Sequence, residues 1–322
     1  MRLRLLCLAL VFFASALYCQ GAFLRLTRRF GTGGQAKWYG LASHIGKSST
    51  PSMGGLVALG LVPFAVAAAC LTGAAELREM AHIWIYPVLA AAVGLADDVL
   101  KHRAKSGDGF TSLQKLLLQV AVTLPWAWWA SSGGVYLMPW LPVLRGYAFV
   151  LLSFLGVGIL NAVNVTDGLD GLAGSAMILS LCGVALLSGE NAARVSSVTG
   201  IAILAAFLWH NAYPAELFMG DVGAHLWGAL LLSLCAQSRF LALVIPLAFL
   251  FGVEIITVAV QIFAIRGFGK KVFRMSPLHH HFELCGWKEP KIVARFCLAH
   301  LAGMAALLIF LLTVFELYGG RY

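Results

Sequence analysis

Acidic side chains are scarce in this chain, 14 Asp and Glu among 322 residues, and several stand where apolar surroundings make a charge expensive. Asp97 and Asp98 are adjacent in Gly94-Leu-Ala-Asp97-Asp98-Val-Leu-Lys101, at the end of an apolar run. A carboxylate at the centre of a bilayer costs roughly 2.5 to 3.5 kcal/mol and less near its edge, so such a pair faces a cavity and a partner. The C-terminal end of a helix also disfavours negative charge. Neighbouring helical residues point about 100° apart. Either the pair is neutralised by Lys101, or one carboxylate meets a cation or substrate while the other orients it.

Three further clusters carry the same chemistry. Asn161-Ala-Val-Asn164-Val-Thr-Asp167-Gly-Leu-Asp170-Gly sets two amides at i, i+3 on one helix face before a glycine turn. In a purely structural reading, Asp167 or Asp170 caps the next helix. Asp221, in Phe218-Met-Gly-Asp221, precedes another apolar run and is either its N-cap or a ligand. His279, His280 and His281 are consecutive, so they cannot share a helix face and lack the spacing of a zinc pair. With Lys270, Lys271, Arg274 and Lys288 nearby, they look like donors to an anionic phosphate; a metal cage is the alternative. Carboxylates from separate segments suit a hard divalent cation, and Mg²⁺ takes one or two of them with phosphate oxygens and water. Diphosphate chemistry fits this set best. Glu254 and Gln261 form another polar stripe, which an interhelical hydrogen bond would explain equally well.

The elements that must position these groups are helices in lipid. The chain is 60% hydrophobic and 11% charged, against roughly a quarter charged in a soluble domain. Ten apolar windows recur, near 3–24, 54–74, 82–100, 113–130, 147–163, 171–188, 196–210, 222–238, 240–265 and 292–318. Most approach the roughly 20 residues that span a hydrocarbon core. The expectation is an all-α, polytopic membrane protein of about ten transmembrane helices, one domain over 1–322. Arg2 and Arg4 before the first window could mark an export signal, but nine further windows make one redundant. The seven cysteines lack paired or metal spacing and read as small buried residues.

Orientation follows from Lys and Arg. Arg25, Arg28, Arg29, Lys37, Lys47, Lys101, Arg103, Lys105, Arg266, Lys270, Lys271, Arg274, Lys288 and Lys291 fall on one side, and half as many fall on the other, with Lys115 and Arg295 inside window ends. The richer side is cytoplasmic, both termini are periplasmic, and the Asp97–Asp98, Asn161–Asp170, Asp221 and His279–His281 clusters lie at the cytoplasmic face. The net charge of +9 is thus a matter of topology, not of nucleic acid binding.

Five ordered motifs resemble one family. Lys47-Ser-Ser-Thr-Pro-Ser-Met-Gly-Gly55, Asp97-Asp98, Asn161 to Gly171, Phe218-Met-Gly-Asp221 and Ser276-Pro-Leu-His-His-His-Phe-Glu283 are similar to those of the phospho-N-acetylmuramoyl-pentapeptide transferases, a branch of the polyprenyl-phosphate N-acetylhexosamine-1-phosphate transferases. The resemblance implies a bacterial plasma-membrane enzyme that joins UDP-N-acetylmuramoyl-pentapeptide to undecaprenyl phosphate, giving lipid I and UMP, with Mg²⁺ and as a homodimer. It implies Asp221 as Mg²⁺ ligand, Asp97 and Asp98 on the lipid phosphate or as base, and Asn164 and Asp167 around metal and diphosphate. It further implies Lys47, Lys101 and Lys105 offsetting phosphate charge. Gly168, Leu169, Asp170, Asn211, Phe218 and Gln261 would form a uridine pocket, with His279, His280 and His281 toward the diphosphate or sugar. A relative that transfers N-acetylglucosamine phosphate would carry a different histidine motif, and a transporter would carry midplane polar residues and an internal repeat. Direct attack by the lipid phosphate and a phospho-aspartyl route both remain open, with direct attack the simpler.

Overall fold

A computed structural model describes residues 2–29, 50–104 and 109–319. Each apolar window overlaps a helix: α1 (Arg2–Arg29), α2 (Gly55–Leu71), α3 (Leu77–Ala104), α4 (Ser112–Ser132), α5 (Arg145–Thr166), α6 (Leu172–Leu187), α7 (Asn191–Asn211), α8 (Gly220–Gln237), α9 (Phe249–Phe268) and α11 (Glu289–Gly319). The short α10 (Leu278–Leu284) carries the three histidines. By length and composition, α1, α3, α5, α7, α9 and α11 are apolar enough to cross a membrane. Of the others, α2 and α6 are shorter apolar helices. Gln114, Lys115 and Gln119 interrupt the apolar run of α4, and Asp221 and His225 that of α8. This is the construction of a helical, multi-pass membrane protein.

Two local features depart from the sequence expectation. Between α4 and α5 the chain forms a small antiparallel hairpin, β1 (Val135–Met138) with β2 (Leu141–Val143), pairing Val135 with Val143. Its Val, Tyr and Leu residues favour an extended pleat. The window near 240–265 is also not one helix. A 3₁₀ turn over Leu241–Leu243 and a helical turn over Val244–Leu247 precede α9. Pro246 lies in the first turn of that run, where a missing N–H is tolerated, and the chain turns at Ala248 (φ −101°, ψ 18°) before α9 starts.

Where a helix is interrupted in lipid, its freed backbone groups must find side-chain partners. His300 of α11 supplies them. Leu250 N donates to His300 Nδ1 at 3.3 Å, His300 Nε2 meets Ser180 Oγ at 3.1 Å, and Ser180 Oγ donates to Leu247 O at 2.6 Å. A ring nitrogen that accepts leaves the proton on the other, so His300 is the Nε2–H tautomer, and one relay closes the gap between Leu247 and Leu250.

The centre of the fold is α8, whose residues from Asp221 to Cys235 are all buried. Among the described residues, α8 packs most extensively against α3. Between helices in lipid there is little hydrophobic drive, and close approach through small residues takes its place. Gly94 is such a point: a methyl there would lie 2.6 Å from His225 Nδ1 and would overlap the Asp221 carbonyl. Because α3 can come this close, Asp97 and Asp98, one turn further along, reach the start of α8.

Replacing His300 by Leu keeps the volume but strands the Leu250 N–H. The expected result is a loss of about 1 to 3 kcal/mol, measured as a lower melting temperature of the detergent-solubilised protein, whereas His300→Gln retains most of the stability.

Candidate active site

Four helix ends bring the acidic residues together. Asp97 and Asp98 come from the last turns of α3, Asn164 and Asp167 from the end of α5, and Asp221 from the first turn of α8. The fourth contributor is α4, which begins where Thr111 and Gln114 form a capping box: Gln114 N donates to Thr111 Oγ1 at 3.3 Å and Thr111 N to Gln114 Oε1 at 3.0 Å. That cap fixes Lys115 in the first turn, facing the carboxylates.

The cluster is built on two ammonium groups. Lys101 Nζ lies 2.8 Å from Asp97 Oδ2 and 2.8 Å from Asp221 Oδ2, with Asp98 Oδ1 at 4.0 Å. Lys115 Nζ lies 3.3 Å from Asp97 Oδ2 and makes a closer ion pair with Asp221 Oδ2. Asn164 Nδ2 donates to the other Asp221 oxygen at 2.6 Å. Asp97 Oδ1 accepts from Phe110 N at 2.6 Å. The side chains of Asp97 and Asp98 are 3% and 6% exposed, while Lys101 keeps 29%. The carboxylates are thus held from behind, and one ammonium remains reachable.

Asp98 plays a different part from its neighbour. Its Oδ2 accepts from Val222 N at 3.0 Å, so it caps α8 from a neighbouring helix. Met219, at the N-cap position, makes no side-chain bond there. Gly220 sits at φ +75° with the site of a Cβ 2.7 Å from Asp98 Oδ2, so a side chain there would both strain the backbone and push the carboxylate away. Asp221 does not cap α8; it sits inside the first turn and points to the lysines. Nor do Asp167 or Asp170 cap α6, whose N-cap position is Gly171 without a side-chain bond.

Asp167 is the least neutralised acid. Burial, and then the charges of Asp221, Asp98 and Asp170, hold its carboxyl well above the usual carboxylate range. Among the described residues, no three Asp, Glu, His or Cys side chains form a ready metal cage. Among these residues the ion-pair partners of Asp97, Asp98 and Asp221 are Lys101 and Lys115, and Asp167 has none. An all-oxygen donor set with unbalanced negative charge fits a hard divalent cation that draws its remaining ligands from phosphate and water.

A second group lies beside the first and is held by backbone contacts. Asp170 N donates to Glu289 Oε1 at 2.6 Å, Ala215 N to Asp170 Oδ2 at 3.0 Å, and Gly171 N to Asn211 Oδ1 at 3.0 Å. Asn211 Nδ2 donates to Leu217 O at 2.8 Å. Phe218 is tied through its backbone to Pro51 and Gly54, and its side chain is part-buried; Leu169 is buried. Gly168 faces the ring of buried His279, where a methyl would meet Cε1 at 3.0 Å.

Within α10 the histidines point to three different surroundings, as their consecutive spacing requires. His279 Nδ1 lies 3.2 Å from Glu254 Oε1, close but poorly aligned for a hydrogen bond. Glu254 Oε2 accepts from Leu278 N at 2.7 Å, anchoring the start of α10. His280 Nδ1 meets Glu283 Oε2 at 2.6 Å, and His281 Nδ1 accepts from Arg274 N at 3.1 Å. Gln261 is buried, and its amide binds Val272 N, Phe273 N and Phe273 O at 3.0, 2.9 and 3.0 Å, fixing the segment before α10. Lys47 and Lys105 lie outside the described residues.

Sequence reasoning missed Lys115 and Glu289. A signal for Lys115 was available: it is a cation in the first turn of a helix, where the dipole favours anions. Glu289 lies in the first turn of α11, far in sequence from Asp170, and no spacing links the two.

Comparison with known proteins identifies the family. The Glycosyl transferase family 4 profile matches residues 80–239, which carry Asp97, Asp98, Lys101, Lys115, Asn164, Asp167 and Asp221. The phospho-N-acetylmuramoyl-pentapeptide-transferase of Dictyoglomus thermophilum is 36% identical over 287 residues, covering 87% of this chain and 89% of that one. Those of Kosmotoga olearia and Deinococcus radiodurans are 33% and 36% identical, covering 89% and 86% of this chain and 91% and 90% of theirs. With identity at this level along nearly the whole chain, the protein belongs to the phospho-N-acetylmuramoyl-pentapeptide-transferase family.

Proposed function

We propose that this protein transfers phospho-N-acetylmuramoyl-pentapeptide from UDP-N-acetylmuramoyl-pentapeptide to undecaprenyl phosphate, releasing UMP and forming lipid I. The reaction takes place at the cytoplasmic face of the bacterial plasma membrane, with both termini periplasmic and the protein acting as a homodimer. The observation that carries the reading is the Lys101 and Lys115 clamp on Asp97 and Asp221, four groups from three helices meeting at one point.

Both substrates are phosphate anions and repel each other unless cations lie between them. Lys101, the more exposed of the two ammonium groups, is suited to turn from a carboxylate to an incoming phosphate. Lys115 stays on Asp221 and holds it in place. Asp221, with Asn164 and Asp167 beside it, would hold Mg²⁺, which when bound supplies charge neutralisation for the diphosphate. A lipid phosphate oxygen attacks the β-phosphorus of the UDP-sugar, the bond from that phosphorus to the bridging oxygen breaks, and UMP leaves with the electron pair. Asp97 has Oδ1 bonded to Phe110 N–H and Oδ2 shared by two ammonium groups. A carboxylate so engaged is a poor nucleophile, which favours direct attack over a phospho-enzyme. The turn held by Asn211, Glu289 and Asp170, with Phe218 near it, is the surface on which the uridine would rest, and His280 and His281 stand on α10 toward the sugar side.

Purified protein in detergent should release UMP only when both substrates and Mg²⁺ are present; release from UDP-N-acetylglucosamine instead would overturn the assignment of the sugar. Asp221→Asn is expected to lower kcat by at least about 10³-fold and Lys115→Gln by about 10²-fold, in the range for loss of one electrostatic contact at a reacting phosphate. Arg145→Ala, which removes only a guanidinium 4.2 Å from the Trp128 ring centre, should leave turnover unchanged.

A further inference from the structure

Beneath the reacting groups lies a second polar layer that the transfer chemistry does not use. Gln119 is one turn from Lys115 on α4, Asn161 one turn from Asn164 on α5, and His225 one turn from Asp221 on α8. The three meet. Asn161 Nδ2 donates to Gln119 Oε1 at 2.8 Å, Gln119 Nε2 faces Asn161 Oδ1 at 3.4 Å, and Gln119 Nε2 lies 2.9 Å from His225 Nε2. His225 is 0% and Gln119 1% exposed.

The orientation of every group in this layer follows from one backbone carbonyl. Val157 O can only accept, and it takes a hydrogen bond from Asn161 Nδ2 at 2.8 Å. That fixes which end of the Asn161 amide is the NH₂. Gln119 must then turn its oxygen toward Asn161 and its NH₂ toward His225, because the reverse would set two donors against each other. His225 Nε2 must therefore accept, and the ring carries its proton on Nδ1. Nδ1 has no hydrogen-bond partner among the described residues and lies against Gly94, where α3 comes closest to α8.

We propose that His225, as the neutral Nδ1–H tautomer, is a positioning residue. Through Gln119 and Asn161 it locks the register of α4, α5 and α8, so that Lys115, Asn164 and Asp221 meet one turn above. An apolar residue at 225 would leave the Gln119 NH₂ with only the long contact to Asn161. The two helices that carry Lys115 and Asp221 would then be free to slip against each other. The effect on turnover rests on the proposed transfer reaction; the tautomer does not.

Two measurements on the full-length protein in detergent test this. The first is ¹⁵N NMR of the histidine rings. It should find His225 Nε2 unprotonated with the shift of a hydrogen-bond acceptor, and that shift should move in Gln119→Leu; a protonated Nε2 overturns the proposal whatever the enzyme does. The second compares His225→Leu and His225→Gln with the parent protein in UMP release. His225→Leu should lower kcat about tenfold, as expected for a small misplacement of reacting groups. The KM for the uridine nucleotide should stay within twofold and the melting temperature close to that of the parent, and His225→Gln, which restores an acceptor for Gln119, should recover most of the rate. Unchanged kcat in His225→Leu, or a loss that follows melting temperature and is not recovered by Gln, overturns the positioning role. An inactive parent protein would instead count against the transfer reading, with the NMR result still deciding the tautomer.

Discussion

Two lysine ammonium groups lodged among three carboxylates are the constraint on which the site depends. Buried like charges repel strongly, and removing one partner of a buried ion pair leaves an uncompensated charge. Asp97 and Asp221 approach each other with Lys101 and Lys115 between them, and Asp167, which has no such partner among the described residues, is pushed toward its neutral form. The same arrangement that lets the acids coexist leaves them short of positive charge. Under the proposed reaction, a divalent cation and, through it, a phosphate would supply the missing charge.

Helix packing makes this convergence available. In a bilayer, close contact comes from small residues and from satisfied polar groups. Gly94 brings α3 against α8; Asp98 then caps α8 across that contact, so one acid is spent on structure and its neighbour on the lysine clamp. The Thr111 and Gln114 box sets the start of α4 and with it Lys115. Further out, Glu289, Asn211 and Asp170 stitch the α5 to α6 turn to the segment before α8, while Gln261 and Glu254 hold α10 in place. Several polar residues that look like substrate contacts in the sequence thus already have backbone partners, and they shape the surface on which substrates would rest.

The helices were legible because each is a long apolar run, and the acidic motifs were legible because charges in such runs are rare. The windows overlap α1 to α9 and α11, and Asp97, Asn164, Asp167 and Asp221 come together as the motifs suggested. What could not be read were features set by the third dimension. The hairpin between α4 and α5 is too short to carry a periodic signal. The break before α9, at Ala248, is held by a distant His300. Lys115 looked like the end of an apolar window, and the capping role of Asp98 needs the start of α8 beside it. The tautomer of His225 is decided by the carbonyl of Val157 through two amides, a chain of dependence that no spacing in the sequence reveals.

The most direct test of the central claim, that Lys115 and Asp221 act as one unit, is a double-mutant cycle on UMP release with Lys115→Gln, Asp221→Asn and the double variant. Residues that act as a unit show strongly non-additive losses. The account predicts that the double variant is no slower than Asp221→Asn alone. Losses that multiply, as for two independent groups, would contradict it.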